Sequence, residues 1–203
     1  MSISKKVTHL GIIILIVLLL FTQCRKGDED PLISLKSRTA RLTGEWLLTE
    51  SEIDGFVTID SEPTAYSDHF NGTTRSISFG SFNDFYTYRE TFIFRKDGSY
   101  TRYQTYRGFT FTNDGAWYWA GKSEELELKK KEAIVLTGLS YVAPGDYTRN
   151  RSGRSIPPTR FFVIEKLKSK EMTLIEDYTD SDSDGYIEEF KGYLNFEKKG
   201  KDN

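Results

Sequence analysis

A single cysteine, Cys24, stands in this chain, and that count alone excludes an intrachain disulfide. The fold must therefore be held by burial, even in a compartment that would permit oxidation. Histidine is nearly as scarce, with two residues, which leaves few candidates for metal or acid–base chemistry. Basic residues are in no excess. With 28 Lys and Arg against 30 Asp and Glu, the formal net charge is −2, which argues against a nucleic-acid binder with a net basic face. Sustained helical periodicity is absent, and period-two alternation broken by turn residues takes its place. Aromatic residues are abundant at 14%, and they supply large side chains for a core.

Long apolar runs are confined to the N-terminus. Lys5 and Lys6 give a basic start and Leu10 to Phe21 an aliphatic run, which matches the charged and apolar parts of a secretion signal. At about 12 residues the run is short for a membrane span, which needs roughly 20. Cys24 follows at once. A signal-like run ending at a lone Cys resembles a bacterial lipoprotein signal, although Gln23 is bulkier than the Gly, Ala or Ser usual before the cut. The resemblance implies that residues 1–23 are removed and Cys24 is acylated, tying the chain to a membrane; an uncleaved anchor and an ordinary cleaved signal are the alternatives. One acyl chain alone would bind only marginally. Lipoproteins of this kind carry more than one, which implies stable attachment.

Arg25 to Asp30 is short, charged and free of apolar side chains, so it reads as a solvated tether. Its acidic cluster, Asp28, Glu29 and Asp30, resembles signals that send such lipoproteins to the outer face of the outer membrane; a plain spacer explains it equally. Asp30-Pro31 predicts a capped short helix running to about Thr39. The expected organisation is a signal over 1–23, an acylated Cys and tether over 24–40, one domain over 41–198 and a tail over 199–203. One domain of that length can bury a real core.

The domain opens on Leu42-Thr-Gly-Glu-Trp46. Alternation places Leu42, Gly44, Trp46 and Leu48 on one strand face, laying an indole across the floor of something closed. Gly44-x-Trp46 at the opening of a first strand resembles the lipocalin and fatty-acid-binding superfamily, and in particular the lipocalin-like lipoproteins of Bacteroidetes-type bacteria. The string Thr91 to Tyr100 and the segment Gly115 to Trp119 carry the same resemblance. Residue by residue, a first strand runs from Leu42 to Ile53 with a hairpin at Asp54-Gly55. Ser61 to Thr74 reads as a long loop, and Ser76 to Phe85 as a broken strand or a lid. Tyr86 to Arg95 and Ser99 to Arg107 form a hairpin through Lys96-Asp97-Gly98. Asn113-Asp114-Gly115 makes the next turn, and further strands follow at Gly115 to Ala120, Leu126 to Leu128, Ala133 to Leu139, Arg160 to Leu167, Glu171 to Tyr178 and Gly185 to Glu197. The pattern predicts an all-β, antiparallel up-and-down β-barrel of about 8–10 strands, with a two-sheet sandwich as the alternative.

Candidate chemistry is thin. His69 lies in the predicted loop beside Ser67 and Asp68, and neighbours in sequence cannot converge as nucleophile, base and orienting group. It reads as a solvated side chain ahead of a base or a metal ligand. With Cys24 acylated, neither a thiol nucleophile nor a Cys/His zinc centre remains. The pairs Glu124-Glu125 and Glu188-Glu189 point to opposite strand faces and read as surface charge. Asp180, Asp182 and Asp184, followed by Gly185, are spaced to turn carboxylates around Ca²⁺. Lys191 stands where related calcium loops place a bidentate Glu, and a polar turn explains the same residues. Arg149, Arg151, Arg154 and Arg160 form a basic loop suited to an anionic head group or simply to solvent. Phe92, Phe94, Tyr100, Trp117, Trp119 and Phe161 are candidates for lining a cavity, unless they fill the core themselves. The expected function is non-catalytic and free of cofactor: a monomeric, membrane-anchored protein binding a small apolar or amphipathic ligand. An interaction module with a filled barrel, gripping protein or glycan through loops 61–85 and 142–159, is the competing expectation, and an enzyme has the least support.

Overall fold

The computed structural model describes residues 36–59, 61–120, 132–138, 159–181 and 187–200. Several sequence expectations lie outside that range: the signal and Cys24, the tether, Leu126 to Leu128, most of the basic loop, Asp182 and Asp184, and the side chain of Asp180. Within it, one short helix, α1 (Arg38–Leu42), precedes ten strands. These are β1 (Gly44–Ile59), β2 (Glu62–Phe70), β3 (Thr74–Phe79), β4 (Phe82–Phe94), β5 (Ser99–Tyr106), β6 (Phe109–Ala120), β7 (Glu132–Thr137), β8 (Thr159–Leu167), β9 (Glu171–Ser181) and β10 (Ile187–Lys198). Each pairs antiparallel with the next in sequence, and β10 also returns to β1 and closes the ring. The expected up-and-down, all-β ring is present, and Trp46 is fully buried in it.

The ring is not of constant width. At one end Gly44 to Leu47 of β1 pair directly with Thr91 to Phe94 of β4, so β2 and β3 are bypassed and eight of the ten strands close the circle. Further along β1, Ser51 to Ile59 pair with β2, while Thr74 to Phe79 of β3 pair with the beginning of β4. The β2–β3 hairpin is thus wedged between β1 and β4, and there the ring has ten strands. Because ring diameter grows with strand number, the structure flares away from its eight-stranded base.

The base is closed by α1. Ser37 caps it by accepting the Ala40 N–H at 3.1 Å. The Arg41 guanidinium donates to the Leu167 carbonyl at 2.8 Å, and the Trp46 indole N–H donates to the Leu42 carbonyl at 2.6 Å. Lys198 lies 4.9 Å from the Trp46 ring centroid and donates to the Arg41 carbonyl. Burial of this ammonium, with Lys36 nearby, holds its pKa below the ordinary lysine value. The Asp30-Pro31 start expected for a short helix lies outside the described residues; within them Ser37 caps α1.

Other boundaries are corrected by packing. Asp54-Gly55 and Asn113-Asp114-Gly115 are not turns; both lie inside continuous strands. A Cβ at Gly55 would collide with the Glu189 carbonyl, and one at Gly115 with the Thr137 carbonyl and the Tyr100 ring. These glycines serve close approach of backbones across the sheet rather than chain reversal. The reversal between β5 and β6 falls at Arg107-Gly108, with φ of 47° and 85°, the positive pair that suits a tight hairpin. Ser61 to Thr74 is mostly strand rather than loop, and Ser76 to Phe85 forms β3 and the start of β4 rather than a lid. Strand alternation on β8 puts Phe162 and Ile164 inside, with Phe161 half-buried on the other face and outside the core cluster. An irregularity between Ile164 and Lys166 then turns Leu167 inward.

Candidate functional site

The interior divides into two tiers, and the residues expected to line a cavity belong to the lower one, except Phe161, which lies on the outer face of β8. Phe92 and Phe94 stack with centroids 5.6 Å apart; Trp117 meets Phe94 edge-on at 6.1 Å, and Phe196 meets Phe92 at 5.8 Å. Tyr100 is fully buried among them and its hydroxyl donates to the Thr137 carbonyl. Trp119 packs at the rim, 5.8 Å from Trp117, and donates to the Thr39 hydroxyl. With Leu42, Trp46, Leu167 and Met172 also at most 1% exposed, these aromatic side chains touch one another and fill the eight-stranded base.

Above that level charged and hydrogen-bonding side chains join the apolar ones on the inward face, which still carries Ile53, Val57, Phe70, Phe190 and Leu194. On β4 the inward, alternate positions are Tyr86, Tyr88, Glu90, Phe92 and Phe94, and on β5 they are Tyr100, Arg102, Gln104 and Tyr106; Thr91 and Thr101, between them, are buried too. Alternation is unbroken, but its chemistry changes half-way along each strand. Arg102 donates to Glu90 at 2.6 Å, the Tyr88 hydroxyl donates to the same carboxylate, and Gln104 donates to the Tyr88 hydroxyl at 2.6 Å. The wedged hairpin adds a second pair. Asp68 of β2 takes a two-pronged bond from Arg75 of β3, one arm of it 2.7 Å, and the Arg75 guanidinium sits 4.5 Å over the Tyr88 ring. From the opposite wall Arg160 of β8 pairs with Glu176 of β9, and Glu188 of β10 is buried as well.

This tier is electrostatically coupled across the ring. Burial raises the pKa of Glu176 above the ordinary carboxyl value; the Arg160 charge pulls it back, Asp68 raises it further, and Arg102 opposes. Burial works against the charge on Arg75, yet Asp68 and Tyr88 hold its pKa well above the ordinary guanidinium value. Burial likewise pushes the Tyr86 phenol up to about 12 and raises that of Tyr88, where Glu90 adds to the effect. Both phenols are therefore neutral donors at physiological pH. Three buried ion pairs are a weak source of stability, since apolar side chains of similar volume commonly do as well or better.

Sequence reasoning missed this tier. Glu188 and Arg160 read as a surface carboxylate and a loop cation, whereas one is buried and the other is half-buried on a strand. The available signal was alternation carried through charged residues, as in Tyr88-x-Glu90-x-Phe92 and Tyr100-x-Arg102-x-Gln104, where the apolar ends mark the inward face. His69 is also displaced from its expected setting: it stands on β2, opposite Glu52 of β1, rather than in a loop. No match to this chain was found among family models, curated proteins or solved structures.

Proposed function

We propose that this chain is a membrane-anchored, lipocalin-like binding protein that holds a small amphipathic molecule in the flared half of its ring. The polar end of that molecule would face the tier of Arg75, Arg102 and Arg160 with their carboxylate partners. The observation that carries this reading is the coincidence of two changes at one level, since the ring widens from eight strands to ten where buried charged residues join its apolar interior. A wider ring has room for more than its own side chains, and a few convergent polar groups above an apolar floor are what a small-molecule site requires. Gly44, Trp46 and the Thr91 to Tyr100 hairpin support the lipocalin-like reading; the lone Cys24 after an apolar run supports the anchor.

Native mass spectrometry of the full-length chain after mild detergent extraction tests the proposal. A co-purifying small molecule is expected, and its occupancy should fall in Arg102→Met and Arg75→Met. Bare protein under the same conditions, with no small molecule recovered from solvent extracts, overturns it. A second reading, a filled ring that contacts protein or glycan from outside, is favoured by the packed base and by Phe85 and Phe109, which are 70% and 69% exposed.

A further inference from the structure

We propose that Glu52, Asp54 and His69 form a divalent-metal site on the outer face of the ring, suited to a first-row transition ion such as Zn²⁺. The site is distinct from the interior tier and does not depend on it. Glu52 and Asp54 occupy alternate positions of β1 and so share a face, and strand register sets His69 of β2 directly opposite Glu52. One ligand atom from each, an imidazole nitrogen and two carboxylate oxygens, lies within 4.8 Å of the others. His69 Nε2 is already 3.1 Å from Asp54 Oδ1. Zinc bonds of roughly 2.0–2.2 Å put tetrahedral ligand atoms about 3.4 Å apart, so rotation of exposed side chains is enough to close the set.

Three further features favour a cation there. Glu50, Glu52 and Asp54 bring like charges to one strand face, and the first two bond to neutral donors: Asn195 to Glu50 at 2.9 Å and the Tyr193 hydroxyl to Glu52 at 3.0 Å. Lys191, opposite Asp54 in register, is instead 3.2 Å from Asp177. Lastly, a cleft of about 300 Å³ adjoins the group on the side away from Asp54, lined by two of its members, Glu52 and His69, with Glu50, Phe70, Phe85 and Tyr193. Three protein ligands, two of them facing an open cleft, leave a coordination position for water or for a small anion, as open zinc sites do. The Tyr193 hydroxyl on Glu52 is placed to orient that ligand from behind. An imidazole with two carboxylates suits zinc and its transition-metal neighbours better than calcium, which prefers oxygen alone.

The test is calorimetric titration of the full-length chain, in detergent and without a polyhistidine tag, with ZnCl₂, paralleled by visible absorption with Co²⁺. One ion per chain is expected, with affinity weakened at least tenfold in His69→Ala and in Glu52→Gln and about tenfold in Tyr193→Phe. All three alter exposed or partly exposed groups, and unchanged melting curves without metal would show that the fold is retained. Millimolar Ca²⁺ should not displace the ion. Equal zinc affinity in His69→Ala, displacement by Ca²⁺, or no binding at micromolar zinc would overturn the proposal; the first would put the ion elsewhere on the chain.

Discussion

The two ends of the ring are built from the same strands and yet obey opposite rules. At the base, β1 meets β4 directly, eight strands close, α1 covers the opening and the interior is aromatic and aliphatic. At the flare, the β2–β3 hairpin separates β1 from β4 and carries Asp68 and Arg75 into the interior with it. The inserted hairpin therefore brings width and one ion pair together, at the level where β4, β5, β8, β9 and β10 supply the other buried polar groups. The base behaves as an ordinary core in which each apolar contact adds stability. The flare accepts the desolvation of several charges, which a fold selected for stability alone would replace with apolar side chains.

Substitutions that exchange the rules of the two ends should break this comparison most visibly. Trp46→Ala removes the largest side chain of the base along with its bond to Leu42, and a loss of about 3–5 kcal/mol is expected in urea denaturation. Arg102→Met, which takes the guanidinium partner from the buried Glu90 carboxyl, should cost on the order of 3 kcal/mol. The double change Glu90→Leu with Arg102→Met should restore most of that loss while abolishing ligand retention. If the double variant is no more stable than Arg102→Met alone, the charged tier is structural and the two ends differ less than argued. Gly55→Ala and Gly115→Ala, at the close approaches of β1 to β10 and of β6 to β7, should each cost about 1–3 kcal/mol through forced strand displacement. Were these glycines turn residues instead, Asn in their place would be tolerated, and the same denaturation curves would show it.

The base was far more legible in the sequence than the flare. Trp46 with Leu48 and Phe92 with Phe94 mark their face by large side chains at period two, whereas Leu42, expected on the same strand face as Trp46, is the last residue of α1. Asp54-Gly55 and Asn113-Asp114-Gly115 misled because the same dipeptides serve turns and close backbone contacts, and only the partner strand decides between them. In β2 and β3, Asp68 and Arg75 disguise the inward face, so Ser61 to Thr74 looks like a solvated loop. His69 could not be paired with Glu52 and Asp54 until the β1–β2 register was known, since the nearest of these is separated from it by fifteen residues. Phe161 and Phe162 are indistinguishable by composition, and the irregularity at Glu165 that reconciles Ile164 and Leu167 on one face leaves no local mark.

The smallest effect expected is one of pH, and it bears on the flare alone. Burial holds Glu176 above the ordinary carboxyl value of 4.5 despite Arg160 beside it, so the native chain binds this proton more tightly than the unfolded chain does. By linkage, the stability this adds is fully present below the unfolded value and is lost as pH rises through the raised native one. Glu176→Gln keeps an acceptor for Arg160 but cannot ionise, so it should lack that dependence. Urea midpoints of wild type and Glu176→Gln, measured from pH 4 to 7, should therefore diverge, with wild type falling relative to the variant as pH increases. The reverse slope would mean that Arg160 and Arg102 outweigh burial, making the tier a net stabiliser of its carboxylates. The flare would then follow the same rule as the base, with contacts retained because they hold the fold together.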